Sequence, residues 1–377
     1  MRELVPVPMQ DSMGDDVYSG IARAAGLLWC GRERADAGAG NSDTVFVYFH
    51  PSSNFVNHYA LTPTAALGVD AVGVVTRYGG NDTQVILENC LADIGSVIRH
   101  LRDVEGYRKV VLVGNSGGGG PAAFYQSQAE TPTVRDAPGG GGTDLTKATL
   151  PPADAVILLN AHAGRASLLS QWLDPAIVDE NDPFRRDPEL DIFVDRGDAL
   201  DRGWVREYRA AQLARMERIT AWVRAQQTEL DERHGGTVPD MAFTVHGTCA
   251  DPRFFDVSLD PSDRDPGTLW GDPVSANLRP TTPGSTTTLR SWLSQWSVTD
   301  SNGYGPDCLR HVSAPVMVVY ATGDKGCFPS MARDLYDSVR HPSRKLLPVK
   351  GAGHYFEGPS HLLTGAVTEM VDWALGV

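Results

Sequence analysis

The chain has 377 residues, 41% of them hydrophobic, and a formal net charge of -14. At roughly 100–200 residues per domain, this length allows one large domain or two modest ones. The acidic balance, with no run of Lys or Arg, argues against a nucleic-acid partner, because displacing counterions from phosphate needs basic surface. Five cysteines, Cys30, Cys90, Cys249, Cys308 and Cys327, are scattered without C-x-x-C spacing. That pattern suits neither a disulfide framework nor a thiolate metal site. Met1 to Asp16 carries acidic residues and prolines where a secretory leader needs an apolar run. No stretch approaches the ~20 apolar residues of a membrane span. A cytoplasmic protein without membrane partners is therefore expected.

In chain order, Thr44–Phe49 and Ala71–Thr76 read as buried strands. The segment from Asn89 to Arg102 has helical spacing through Leu91, Ile94, Ile98 and Leu101. Lys109–Val113 is a third strand, a helix follows over Pro121–Gln128, and Ala155–Leu159 is a fourth strand. Continuous apolar runs suit parallel strands covered on both faces. Their alternation with helices implies an α/β sheet. The loop Glu130–Pro152, with four glycines at Gly139–Gly142, reads as flexible.

From about Arg165 to Arg310 the alternation stops, and six of the eight tryptophans fall there. A long amphipathic helix is expected from Arg202 to about Glu232, ended by Gly235–Gly236, then a short strand at Met241–Val245. Alternation returns with a strand at Val316–Tyr320, a helix at Ser330–Ser338, a strand at Lys345–Val349 and a last helix from about Leu362 to Leu375. The expected division is a core of 1–164 and 310–377 with 165–309 inserted as a mainly helical cap.

The sharpest local signal is Gly114-Asn115-Ser116-Gly117-Gly118, between a strand and a helix. A G-x-S-x-G in that context places the serine on a tight turn with its Oγ exposed. The amide of Gly117 is then free to meet an oxyanion. A phosphate loop fits poorly, since Gly120-Pro121 stands where Lys-Ser/Thr is needed. A serine nucleophile requires a base. His354 lies on the glycine-flanked loop after the last strand, and Asp324 follows the strand before it. The order Ser116, Asp324, His354 fits a nucleophile, orienting acid and base. After the first central strand comes His50-Pro51-Ser52-Ser53. Pro51 has no N–H, so the Ser52 amide is the expected second oxyanion donor, with Ser53 next. His50, Ser53, Asn115 and His162 are candidate pocket residues. Trp292 and Trp296 are the tryptophans expected to touch substrate. No metal ligand set and no cofactor are expected.

GNSGG at Ser116, FHPSS at His50, ATGD at Asp324 and GAGH at His354 together resemble the α/β-hydrolase superfamily. The resemblance covers roughly 44–164 and 314–377. It implies an eight-stranded, mostly parallel sheet with a lid inserted after the sixth strand, and a triad of Ser116, Asp324 and His354. Two departures stand out: His-Pro replaces the usual His-Gly, and the insertion is long. The expected activity is hydrolysis of a carboxylic ester or lactone of a small, apolar or aromatic substrate through an acyl-enzyme. C–C or amide hydrolysis with the same triad, or non-catalytic ligand binding, are the alternatives. The expected partner is a small molecule; the sequence allows a homodimer without setting the oligomeric state.

Overall fold

A computed structural model of the chain describes residues 2–10, 26–35, 43–194, 196, 199–235 and 240–377. Residues 11–16 of the N-terminal stretch and Gly236 therefore lie outside the described residues. Eight strands form one sheet: β1 (Arg2–Pro8), β2 (Leu27–Glu33), β3 (Thr44–Phe49), β4 (Asp70–Val75), β5 (Lys109–Asn115), β6 (Ala155–Leu159), β9 (Val316–Ala321) and β10 (Arg344–Val349). Their order is β1-β2-β4-β3-β5-β6-β9-β10. β1–β2 and β2–β4 are antiparallel; every other neighbouring pair is parallel. A two-stranded ribbon of β7 (Ala242–Thr244) and β8 (Thr286–Thr288) lies in the inserted segment.

Successive side chains of a strand point to opposite faces, so each apolar run feeds two cores. Val110 and Leu112 of β5 join the cluster under α2 (Leu87–Asp103) and α3 (Gly119–Glu130). Val111 and Val113 join the opposite cluster, with Leu61 of α1 (Leu61–Ala66) and Val367, Met370 and Val371 of α9 (Ser360–Gly376). The inserted segment has a core of its own. In it α4 (Arg165–Trp172) and α5 (Arg202–His234) bury Leu169, Met216, Ile219 and Val223 against Trp292 and Leu293. Gly235 ends α5 in the left-handed conformation, φ 55°. Short helices α6 (Pro273–Leu278) and α7 (Gly305–Leu309) follow, before α8 (Pro329–Ser338) returns the chain to the sheet.

The segment 130–152 is not the loose loop expected. Leu145 is fully buried, Gln227 Nε2 donates to the Gly139 carbonyl at 2.5 Å and Asn89 Nδ2 to that of Gly141 at 3.2 Å. Side chains from α5 and α2 take up carbonyls that glycine leaves uncovered. Among the described residues, no helix is long and apolar enough to cross a membrane.

Candidate active site

The carboxyl ends of β3, β5, β6, β9 and β10 lie along one edge of the sheet, where open α/β sheets gather ligands. Ser116 stands at the end of β5 with φ 53°. A left-handed serine is strained, at a cost of about 1–3 kcal/mol, and persists only where its surroundings hold it. The neighbours explain how. A Cβ at Gly118 would lie 2.3 Å from the Phe49 carbonyl oxygen, and one at Gly114 would lie 2.6 Å from Ala122 Cβ. Only hydrogen fits at either place, so the glycines let β3 and α3 close around the turn. Ser116–Gly118 form a 3-10 turn, and the Gly117 amide, near its start, has no partner within the helix.

His354 and Asp324 reach Ser116 from the loops after β10 and β9. Ser116 Oγ lies 3.0 Å from His354 Nε2, and His354 Nδ1 lies 2.6 Å from Asp324 Oδ2. From these partners the tautomer is assigned: Nδ1–H donates to Asp324, and Nε2 accepts from the serine hydroxyl. Asp324 Oδ1 accepts from the amides of Gly326 (2.7 Å) and Cys327 (3.0 Å), which fixes the carboxylate. Asn160, with φ 44°, donates from Nδ2 to the His354 carbonyl at 2.8 Å and accepts the Ala321 amide on Oδ1 at 2.9 Å. Burial disfavours the charged imidazole of His354. The Asp324 charge and hydrogen bond, helped by Glu357, outweigh it and leave the pKa raised.

A cavity of about 270 Å³ opens above Ser116. His50, Ser52, Ser53, His162 and Arg165 line its polar side; Phe55, Leu168, Trp172, Leu269, Trp270 and Trp296 line its apolar side. Asn115 also lines it, but its amide bonds the Leu159 carbonyl at 2.8 Å and His58 Nε2 at 3.2 Å, so it braces the turn. His162 is held neutral, its pKa lowered to about 3 by burial and by the nearby Arg165 charge.

Two expectations are corrected. The Ser52 amide is not open to the cavity as an oxyanion donor: it points to His50 Nδ1 at 3.2 Å, as does the Ser53 amide at 3.0 Å. The imidazole is a stronger acceptor nearby and captures both. Trp292 does not line the cavity. It is fully buried in the insertion core, its Nε1–H donating to Thr220 Oγ1 at 2.9 Å. Trp292–Trp296 form a π-helical turn, the Ser297 amide reaching the Trp292 carbonyl at 2.8 Å. Trp296, at the end of this turn, packs in the same cluster as Trp292 and also lines the cavity with Ser116.

Several lining residues stand outside any local sequence motif. Arg165 is buried, its Nε donating to Gln295 Oε1 at 2.7 Å and its Nη2 paired with Asp82. Its guanidinium lies 4.4 Å from the centre of the Trp296 ring. Its place six residues after the end of β6 was the available clue. Trp172 and Trp270 meet edge to face at 5.2 Å on the apolar side. Among the described residues, Asp324, Cys327 and His354 have ligand atoms within 4.8 Å of one another. Asp324 and His354 are committed to each other, and burial holds the Cys327 thiol well above its ordinary pKa. Since a metal needs the thiolate, the group suits proton movement better than metal binding.

No family model and no curated protein matches the sequence. Solved structures do match over nearly the whole chain. DcsB, solved with its substrate analogue, aligns with a TM-score of 0.51 at 11% identity, over 100% of this chain and 99% of that one. The esterase domain of a Rhodothermus marinus protein gives 0.49 at 11% identity, over 99% and 98%. The alpha/beta hydrolase GrgF of Penicillium sp. sh18 gives 0.49 at 10%, over 99% and 98%. At such identities the likeness is one of fold.

Proposed function

We propose that this chain, which has the α/β-hydrolase fold, is a serine hydrolase that cleaves a small carboxylic ester or lactone through an acyl-enzyme. The observation that carries the reading is the hydrogen-bonded series Ser116 Oγ, His354 Nε2, His354 Nδ1, Asp324 Oδ2, beside a free Gly117 amide. In the proposed reaction His354 takes the Ser116 proton as Oγ attacks the carbonyl carbon. The carbonyl electron pair moves onto oxygen, which the Gly117 amide receives. Collapse expels the alcohol, protonated by His354. Water, deprotonated by the same nitrogen, then releases the acid and restores Ser116. Asp324 keeps the imidazole in the needed tautomer and stabilises its positive charge.

The cavity supports a small substrate, since sites for drug-sized ligands span roughly 300–1,000 Å³. Trp172, Trp270 and Trp296 favour an apolar or aromatic body, while Arg165, stacked on Trp296, and His162 favour an acceptor group on it. The test is incubation with a fluorophosphonate probe, with the adduct located by mass spectrometry beside Ser116→Ala. Labelling at Ser116, lost in the variant, is expected. Folded wild-type protein that stays unlabelled and hydrolyses no aryl ester would overturn the proposal in favour of ligand binding without turnover.

A further inference from the structure

The loop after β3 leaves the proposed reaction one donor short. Pro51 has no N–H, and the amides of Ser52 and Ser53 both point at His50 Nδ1. Those two bonds settle the state of the ring. A nitrogen that accepts two N–H groups carries a lone pair and no proton, so the proton of His50 sits on Nε2. The hydrogen bonds of His50 to described residues are both at Nδ1, which leaves Nε2 without a protein partner, and His50 lines the cavity. Its position follows from the crowding at Gly117: a Cβ there would lie 2.7 Å from His50 Nε2. His50 Nε2 thus stands close to Gly117, whose amide is the first proposed oxyanion donor, and both residues line the cavity with Ser116. The ring is also held in place, tilted against Phe55 at 5.9 Å between centroids.

We propose that His50, in its Nε2–H tautomer, is a catalytic residue: the side-chain donor that completes the oxyanion hole, in place of a backbone amide of its loop. The inference rests on Ser116 being the nucleophile. As the Ser116 Oγ–carbon bond forms and the carbonyl pair moves onto oxygen, Gly117 N–H and His50 Nε2–H both donate to that oxygen. The Ser116 proton goes to His354; the His50 proton stays where it is. Burial, joined by the charge of Arg165, keeps His50 well below the ordinary histidine pKa. The ring therefore donates as neutral imidazole and does not act as a competing acid. A neutral histidine whose other nitrogen is engaged can polarise a carbonyl in this way.

Two substitutions separate donating from bracing. In His50→Asn the amide oxygen can stand where Nδ1 stands, which keeps the acceptor for Ser52 and Ser53 and removes the far donor. In His50→Gln the amide nitrogen can reach the Nε2 position, which keeps the donor and loosens the brace. With 4-nitrophenyl acetate, and rates counted per phosphonate-titratable Ser116, His50→Asn is expected to lose about 10²–10³ in kcat. KM should hardly change, and His50→Gln should lose markedly less than His50→Asn. The reverse ranking, or two variants equal to wild type, would overturn the proposal. Wild-type protein supplies a second readout that needs no variant. When a trifluoromethyl ketone adds to Ser116, the His50 Nε2–H proton resonance is expected to move downfield; an unmoved resonance counts against the role. Failure of the nucleophile reading looks different: wild-type protein is then neither labelled nor active.

Discussion

Replacing Gly117 with alanine adds one methyl group to a crowded corner of the site. Its Cβ would stand 2.7 Å from His50 Nε2, 3.0 Å from Arg165 Nη1 and 3.5 Å from His162 Nε2. Gly117 needs no left-handed backbone, so the effect is steric. Ordinary contact begins near 3.4 Å, which asks the His50 ring to retreat by roughly 0.7 Å, a strain of the kind that makes overpacking costly. The ring cannot yield like the end of a flexible chain, because its Nδ1 is pinned by two amides. Misplacement of about 1 Å at a reacting centre can cost ~10²-fold, so kcat should fall about 10- to 100-fold. The residue-117 amide and the Ser116–His354–Asp324 series stay in place. Overpacking should lower stability by about 1–3 kcal/mol. The assay is 4-nitrophenyl acetate turnover per titrated serine, alongside urea denaturation. A folded Gly117→Ala protein with wild-type kcat would refute the crowding argument.

Asp324→Asn should cost about 10⁴ in kcat with the fold retained, because the amide no longer holds the imidazole tautomer; steady-state kinetics with circular dichroism decides it, and a loss under tenfold would contradict the assignment. The rate should fall as pH drops through a His354 pKa above the ordinary 6.5, since protonated His354 accepts nothing from Ser116. Because that pKa is raised by folding, the stability it contributes is full below 6.5 and is lost as pH rises through the folded value. Activity and this increment should therefore move in opposite directions in pH-resolved kinetics and melting. Trp292→Phe should lower stability by about 1 kcal/mol through the lost bond to Thr220 without changing KM. Trp270→Ala, on the cavity wall, should raise KM as well as lower stability, since Trp270 also packs on Trp172; a changed KM in saturation curves distinguishes it from Trp292→Phe.

β3, β5, β6 and β9 were legible because each holds a short, unbroken apolar run, and Ser116, Asp324 and His354 each follow a strand on a glycine-containing turn. β1 and β2, at the antiparallel end of the sheet, were not. β1 contains Pro6 and Pro8 and exposes alternate residues, a pattern tolerated only at a sheet edge. Ser52 illustrates a second limit: the sequence shows that an amide exists but not which acceptor captures it. The tryptophan pair shows a third. Residues four apart share a face in an α-helix, and the extra residue of the π turn breaks that rule. Arg165 depends on Asp82 and Gln295, 83 and 130 positions away, which no local pattern reveals.

The Asn160 side chain joins the strand end that leads to the acid to the loop that carries the base. Both of its contacts lie within the sheet domain. The proposed triad is thus aligned by the sheet strands and their loops, while much of the apolar cavity wall is supplied by 165–309. Evolution can then redraw the wall, changing which molecule is accepted, and leave the proton path untouched. In such a division of labour, relatives that share the chemistry would be expected to diverge fastest in the inserted segment, and grafting a foreign insertion onto this sheet becomes a practical route to new specificity.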